Sequence, residues 1–413
     1  MSFKKCNVIL MTTLLLAAVS CKKPAITITS EPIPFTPLPQ FVQGIENPEN
    51  SWFFQIPSSQ DEKGLYIPIQ SDSDGNVYFI GRDQHFYSLN PKGTLQWNKE
   101  GAFQPVLRMV DNKTLLTMLD AIRLYNLDGS VKSIWMETGT CFLGPDGYIY
   151  TTLPSQEKKE LIFSSLDARG NLRWKAPYQV KYGGHILIDG LWFDDENNVY
   201  YFVEDISEDK KFTDVSLFSF TSNGIPRWKK NFPSNKTLGF PFNQTFQSYV
   251  MFPLYSVKEE TIQMENSKWL IGLNRNGDEI WRKEEKREGI YSVPFQVCPN
   301  GQFVTALSSI KEGVTFVSSY NNLGEVIWER KLIGSEISPI LADQENHTYI
   351  AAGGMSGDRY LYAFNPDGST KWKIKIPTPL STEVETMYLG NDQSIYLTLK
   401  GKNIIFKVSQ AVP

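Results

Sequence analysis

The sequence predicts an all-β fold, an eight-bladed β-propeller made of four-stranded antiparallel blades. Three observations predict it. A strand–turn–Trp motif recurs along the chain, a second turn-and-strand element precedes each copy, and the two chain ends hold complementary fragments of one repeat. Self-similarity at a period of about 20–50 residues marks a repeat architecture, and a turn-rich period of this length fits propeller blades.

The motif is a short apolar strand, a tight turn ending in Gly, and a Trp four residues after that Gly. It runs from Phe86 to Trp97 around Gly93, from Phe163 to Trp174 around Gly170, and from Leu217 to Trp228 around Gly224. Three more copies run from Leu270 to Trp281 around Gly277, from Val317 to Trp328 around Gly324, and from Leu361 to Trp372 around Gly368. A seventh, Tyr125 through Gly129 to Trp135, stretches the Gly-to-Trp gap from four residues to six. The pairs Asn223-Gly224, Asn276-Gly277 and Asp367-Gly368 supply the positive φ angles of tight hairpins.

Upstream of each motif lies another turn followed by an alternating strand. Examples open at Asp74-Gly75, Asp146-Gly147, Asn197-Asn198, Asn300-Gly301, Asn346-His347 and Asp392-Gln393. Two hairpins per unit make one four-stranded blade. The apolar spacing in these stretches alternates by two rather than by helical steps.

The ends complete the count. After Trp372 one more set ends at Asn403 to Val408 without its Trp strand, while Ser51 to Ile56 is a Trp strand without partners. Joining them closes the ring and removes an exposed sheet edge that would template aggregation. The blade tryptophans are then Trp52, Trp97, Trp135, Trp174, Trp228, Trp281, Trp328 and Trp372; Trp192 and Trp269 lie off this register. Residues 45–413 number 369, about 46 per blade.

Residues 1–20 read as an export signal. Lys4 and Lys5 precede an apolar run from Val8 to Val19, too short to span a bilayer, which needs about 20 residues. The run ends Ala17-Ala18-Val19-Ser20-Cys21, resembling a bacterial lipoprotein signal in which Cys21 becomes the diacylated N-terminus. More than one acyl chain anchors stably where a single chain does not. Lys22 stands where an inner-membrane retention signal would have Asp, which directs the expectation to the outer membrane. Residues 21–44 hold Pro24, Pro32, Pro34, Pro37 and Pro39 and read as a semi-extended tether.

The 41 basic and 45 acidic residues give a net charge of −4, and loss of Lys4 and Lys5 takes the mature chain to −6, so bulk charge does not recruit nucleic acid. The three histidines are scattered and the four cysteines include no C-x-x-C pair, which leaves no zinc, haem or disulfide framework.

The repeat resembles the PQQ-type propeller family of quinoprotein dehydrogenases, and equally the propeller lipoproteins of the bacterial outer-membrane barrel-assembly machinery. The likeness covers nearly the whole mature chain. It implies that each repeated Trp packs flat between neighbouring blades. The family turn, Asp-x-x-Thr-Gly, is one residue longer than Asn90-Pro91-Lys92-Gly93 here.

A quinone enzyme of that family would set its cofactor against a vicinal disulfide, with calcium and a catalytic Asp. No Cys-Cys pair occurs, and Cys141 and Cys298 read as buried small hydrophobes. The cluster Asp72-Ser73-Asp74-Gly75-Asn76 has the alternating oxygens calcium prefers, but its place in the repeat makes it a structural turn. Asp194-Asp195-Glu196 reads as a solvated loop, and His185 as a non-catalytic residue placed to line the channel. No G-x-S-x-G elbow, P-loop or H-E-x-x-H occurs, so no cofactor, metal or catalytic residue is assigned.

Two insertions lengthen the minimal blade. One is the charged stretch from Glu204 to Asp214; the other runs from Asn235 to Asn266 and carries Phe240, Phe242 and Phe246 as a candidate interaction loop. The expected function is a lipid-anchored, non-catalytic, monomeric propeller scaffold. It would bind protein partners at the outer membrane, on the periplasmic face, in outer-membrane protein assembly. The alternatives are a PQQ- or metal-dependent periplasmic oxidoreductase and a surface-exposed ligand-binding lipoprotein.

Overall fold

The computed structural model describes residues 28–29, 52–56, 256–257 and, with short gaps, 69–232 and 261–409. Within them the chain is a β-propeller whose strands pair mostly with their sequence neighbours. The first sheet contains Ile69–Ser71, Val77–Ile80, Phe86–Leu89 and Leu95–Lys99, paired in that order. Leu107–Asp111 to Val131–Trp135 form the second and Thr140–Leu143 to Leu172–Gln179 the third. The fourth contains His185–Asp194, Val199–Ile206, Thr213–Phe220 and Pro226–Phe232. The sixth runs from Ile290–Tyr291 to Val326–Ile333, and the seventh from Glu336–Ile337 to Thr370–Ile376.

The fifth sheet is described in part. It has three strands among the described residues, Thr261–Asn266, Trp269–Asn274 and Glu279–Glu284. Ser256–Val257, just before them, runs parallel to His185–Asp194 of the fourth sheet instead. The stretch in which its fourth strand is expected, at the longer insertion, lies largely outside the described residues.

The eighth sheet draws on both ends of the chain. Val384–Leu389, Ile395–Leu399 and Ile404–Val408 are completed by Trp52–Gln55, antiparallel, with Trp52 opposite Lys407 and Gln55 opposite Ile404.

Burial follows strand position. The middle strands Val77–Ile80 and Phe86–Leu89 are wholly buried, while the last strand, Leu95–Lys99, is largely exposed. Apolar clusters straddle consecutive sheets. Tyr78, Ile80 and Phe86 meet Leu107 and Leu115, Phe163 meets Tyr201 and Phe218, and Trp328 meets Ile350 and Phe364. Trp52, Tyr396 and Ile405 meet Val77, Phe79 and Leu89, so the eighth sheet packs on the first.

The Trp residues form the joints. Six indole N–H groups donate to a carbonyl in the hairpin turn of the following sheet, at 2.7 to 3.0 Å: Trp52 to Pro91, Trp97 to Leu127, Trp174 to Ser222, Trp228 to Arg275, Trp281 to Asn322 and Trp328 to Pro366. The turn glycine lies flat against the same ring. A Cβ on Gly93, whose φ is +77°, would stand 2.6 Å from Trp52 Cδ2. Across the hairpin a small residue faces the Trp, as Ser88 faces Trp97, Ser165 faces Trp174 and Gly272 faces Trp281.

Trp135 stands outside this register. Ser133 occupies the ladder position that Trp97 fills in the first sheet, and Trp135 lies two residues further along, opposite Ile122. The two extra residues between Gly129 and Trp135 account for the shift. At the seventh-to-eighth joint the buried Trp372 Nε1 has no partner among the described residues.

Candidate interaction face and its charged cleft

In a sheet of sequential antiparallel strands, the first and third connections lie at one edge and the second, with the link to the next sheet, at the other. The first edge is consumed by structural latches. In the first sheet Asp72 Oδ1 accepts from the backbone N–H groups of Asp74 and Asn76, and Oδ2 from Asn76 Nδ2 at 2.8 Å and Tyr78 OH at 2.9 Å. A carboxylate offers about four acceptor sites, and all are taken. The Asp72 carboxylate is therefore spent on closing the turn.

The same latch recurs. Asp194 receives Tyr200 OH at 2.7 Å and Asn198 Nδ2 at 2.8 Å; Asp343 receives Tyr349 OH at 2.8 Å and pairs with His347 Nδ1 at 2.8 Å. Asp194 is 1% exposed. The solvated loop expected at residues 194–196 is corrected: only its outer part faces water, where Glu196 meets Arg275 at 2.7 Å.

In other repeats the carboxylate enters from two residues later. Tyr150 donates to Asp146 at 2.6 Å and Tyr396 to Asp392 at 3.2 Å. Glycine then stands where Asp72 stands, at Gly144 and Gly390, because a side chain there would collide with that carboxylate. The first sheet repeats this arrangement in its second connection, at the opposite edge, where Tyr87 donates to Asp83 beside Gly81. In the sixth sheet both partners become apolar, as Cys298 and Val304, each buried. Burial first, and then the adjacent carboxylate, raise the phenols of Tyr78, Tyr150 and Tyr200 well above their ordinary range. Burial pushes the Cys298 thiol up to about 12.

The opposite edge is elaborated at the fourth sheet, whose strands are the longest run in the fold, ten, eight, eight and seven residues. The charged insertion and the link that begins the longer insertion both leave from this edge. A cleft of about 220 Å³ opens there, between the end of Leu172–Gln179 and the fourth sheet, with Tyr178, Lys181, Asp205, Asp214 and Lys229 on its walls.

Asp205, 3% exposed, builds one wall by accepting the backbone N–H groups of Tyr182 and Gly183, each at 2.7 Å. Gly183 has a φ of +71°, and Gly184 is packed against the Ile206–Glu208 backbone too closely for a Cβ. Lys229 forms the other wall, with Nζ 2.5 Å from Tyr178 OH, 3.8 Å from Asp214 and 4.7 Å from the Tyr178 ring centroid. The cleft is thus balanced in charge and rigid in backbone. Acid, base and hydroxyl groups are already paired with each other, which suits recognition of a polar surface and offers no activated nucleophile.

Of the residues singled out from sequence, Cys21, Phe240, Phe242 and Phe246 lie outside the described residues. His185 is exposed at the start of its strand, opposite Ile206, beside the cleft. Among the described residues no group of three or more His, Cys, Asp or Glu side chains could hold a metal ion. Sequence reading missed the Asp–Tyr latch, although its spacing is visible: six residues for Asp72, Asp194 and Asp343, and four after a Gly-x-Asp for Asp83, Asp146 and Asp392. It also missed the cleft, whose walls come from three separate hairpins.

No family model matches the chain, and no curated protein matches it. Among solved structures it is similar to BamB from Moraxella catarrhalis, at 12% identity and a TM-score of 0.49, over 86% of this chain and 99% of that one. It is similar to the C-terminal WD40 domain of Sif2, at 9% identity and a TM-score of 0.48, over 84% and 97%. A quinoprotein alcohol dehydrogenase-like protein from Bacteroides thetaiotaomicron matches at 10% identity and a TM-score of 0.37, over 76% and 66%. The strand pairing, rather than these likenesses, defines the propeller.

Proposed function

We propose that the chain is a closed eight-bladed propeller, anchored by lipid at Cys21, that serves as a non-catalytic docking scaffold at the bacterial outer membrane. Its rigid ring presents the elaborated edge of the fourth sheet to a protein partner. The observation that carries this reading is the division of labour between the two edges. The carboxylates Asp72, Asp194 and Asp343 in the first-connection turns are spent on Asp–Tyr latches, whereas the fourth-sheet edge holds the longest strands, the points from which both insertions leave and a preformed polar cleft. Loops on a rigid scaffold are where binding residues concentrate.

Closure by Trp52–Gln55 supports the scaffold role, since a ring without a free edge holds its loops in fixed relation. Phe240, Phe242 and Phe246 enter as the aromatic part of the same docking surface. A role in assembling outer-membrane proteins is the specific form of the proposal.

Cross-linking in native membranes tests it. A photoreactive residue in place of Lys229 or Phe242 should capture one discrete protein, while the same probe at Lys92 on the hairpin edge should not. Equal capture from both edges, or retention of wild-type membrane association in Cys21→Ser, would overturn the docking or anchoring half respectively.

A further inference from the structure

The outer strand of the sixth sheet carries an added strand that no other last strand carries among the described residues. Ile28–Thr29, from the Pro-rich tether, lies parallel to Val326–Ile333, with Ile28 opposite Glu329 and Thr29 opposite Arg330. The pairing joins residues 301 positions apart in the sequence, so it is long-range and cannot be a local turn.

The receiving edge differs from its counterparts. An outer strand offers a row of unpaired backbone groups, and outward lysines are a common guard against strand addition. The residue after the blade Trp is Asn98 in the first sheet, Lys175 in the third, Lys229 in the fourth, Arg282 in the fifth and Lys373 in the seventh. In the sixth it is Glu329, 4% exposed, its carboxylate turned into the sheet to accept from Ser318 Oγ at 2.7 Å. Among these sheets the edge with an acid folded inward, in place of a lysine, arginine or asparagine, is the one that has accepted a strand.

We propose that this edge is a clip for the chain's own tether, and that the clip sets how the propeller stands on the membrane. The orientation half rests on the lipid anchor at Cys21; the clip itself does not. Ile28 lies seven residues along the chain from Cys21, and that stretch is short. At a maximum of roughly 3.3–3.6 Å per residue it reaches about 25 Å. The path from Cys21 to Trp52 is 31 residues and could extend roughly 100 Å by the same rule. The clip therefore converts a long tether into a short one attached at the sixth sheet. That rim is held nearest the bilayer, and the second sheet, four blades away in an eight-bladed ring, is held furthest.

Thiol cross-linking of the full chain in native membranes tests the clip. Thiols in the pair Thr29→Cys and Arg330→Cys should be joined by a short bis-maleimide, with the linked peptide identified by mass spectrometry. Thr29→Cys with Lys230→Cys, the corresponding position in the fourth sheet, should give several-fold less product. Equal yields from the two pairs would overturn the clip.

Orientation is read with a fluorophore at Ile333→Cys or Val131→Cys and quencher-labelled lipid. Stronger quenching at 333 supports the short tether, and equal quenching overturns it. Cys21→Ser separates the two readings. Release from the membrane with the 29–330 product retained supports both the clip and the anchor; retention on the membrane overturns the anchor while the cross-link still reports on the clip.

Discussion

Gly93→Ala and Gly147→Ala form a matched pair that isolates the contribution of the inter-sheet tryptophans. Both glycines have a φ of +77°, but a Cβ on Gly147 meets nothing within 4 Å, whereas one on Gly93 would stand 2.6 Å from Trp52 Cδ2 and 2.9 Å from Cε3. The left-handed backbone costs an L-residue roughly 1–2 kcal/mol, and the stiffer unfolded chain returns about 0.4–1. Gly147→Ala should therefore lose about 1 kcal/mol. Gly93→Ala pays the same and must also displace a fully buried indole, an overpacking cost of roughly 1–3 kcal/mol. Moving the ring also breaks its 2.9 Å bond to Pro91 O, worth about 1 kcal/mol.

The expected gap between the two variants is about 2–4 kcal/mol. Urea unfolding of the mature protein followed by Trp fluorescence measures it, with unchanged denaturant slopes as the condition for comparing midpoints. Trp52→Phe in the Gly93→Ala background should recover part of the loss by removing the benzo ring. Equal destabilisation by Gly93→Ala and Gly147→Ala would refute the idea that the indole is wedged against the turn.

Three further outcomes are expected. Asp194→Ala should destabilise by about 3 kcal/mol, because it strands the Tyr200 hydroxyl, the Asn198 amide and two backbone N–H groups, while Tyr200→Phe should cost only about 1 in the same unfolding assay. Burial alone would raise Asp392, but Lys407 at 2.9 Å holds it below the usual carboxylate range; Asp343 is held down by Tyr349 and His347 in the same way. Depressed carboxylates stabilise the fold above their unfolded pKa, so thermal stability should be flat through neutral pH and fall below about pH 4, and a loss beginning near pH 6 would contradict this pairing. With its thiol pushed up to about 12 by burial, Cys298 should resist a thiol reagent in the native protein and react on unfolding, as read by peptide mass mapping.

The blades were legible because their chemistry is local. A Gly four residues before a Trp encodes a hairpin and a packing ring together, and the structure adds only that the ring belongs to the next sheet's turn. Ser88, Ser165 and Gly272 were equally visible but acquire meaning only once a ladder places them opposite a Trp. Trp135 illustrates a finer limit, since its six-residue gap was apparent while its displacement by one pleat required the register. Asp194 was misjudged because an Asp-Asp-Glu run reads as solvated, whereas a tyrosine six residues later draws the first carboxylate inward. The cleft and the tether clip were illegible for another reason: both depend on contacts between distant segments, Tyr178 with Lys229 and Ile28 with Glu329.

Amide hydrogen exchange at residues 52–55 tests ring closure most directly. Pairing of that strand with Ile404–Val408 predicts protection that rises and falls with the eighth sheet, approaching that of the buried strand Val77–Ile80. Exchange of residues 52–55 at the rate of an unpaired chain, with Ile404–Val408 still protected, would mean that the propeller is held shut by something other than its N-terminal strand.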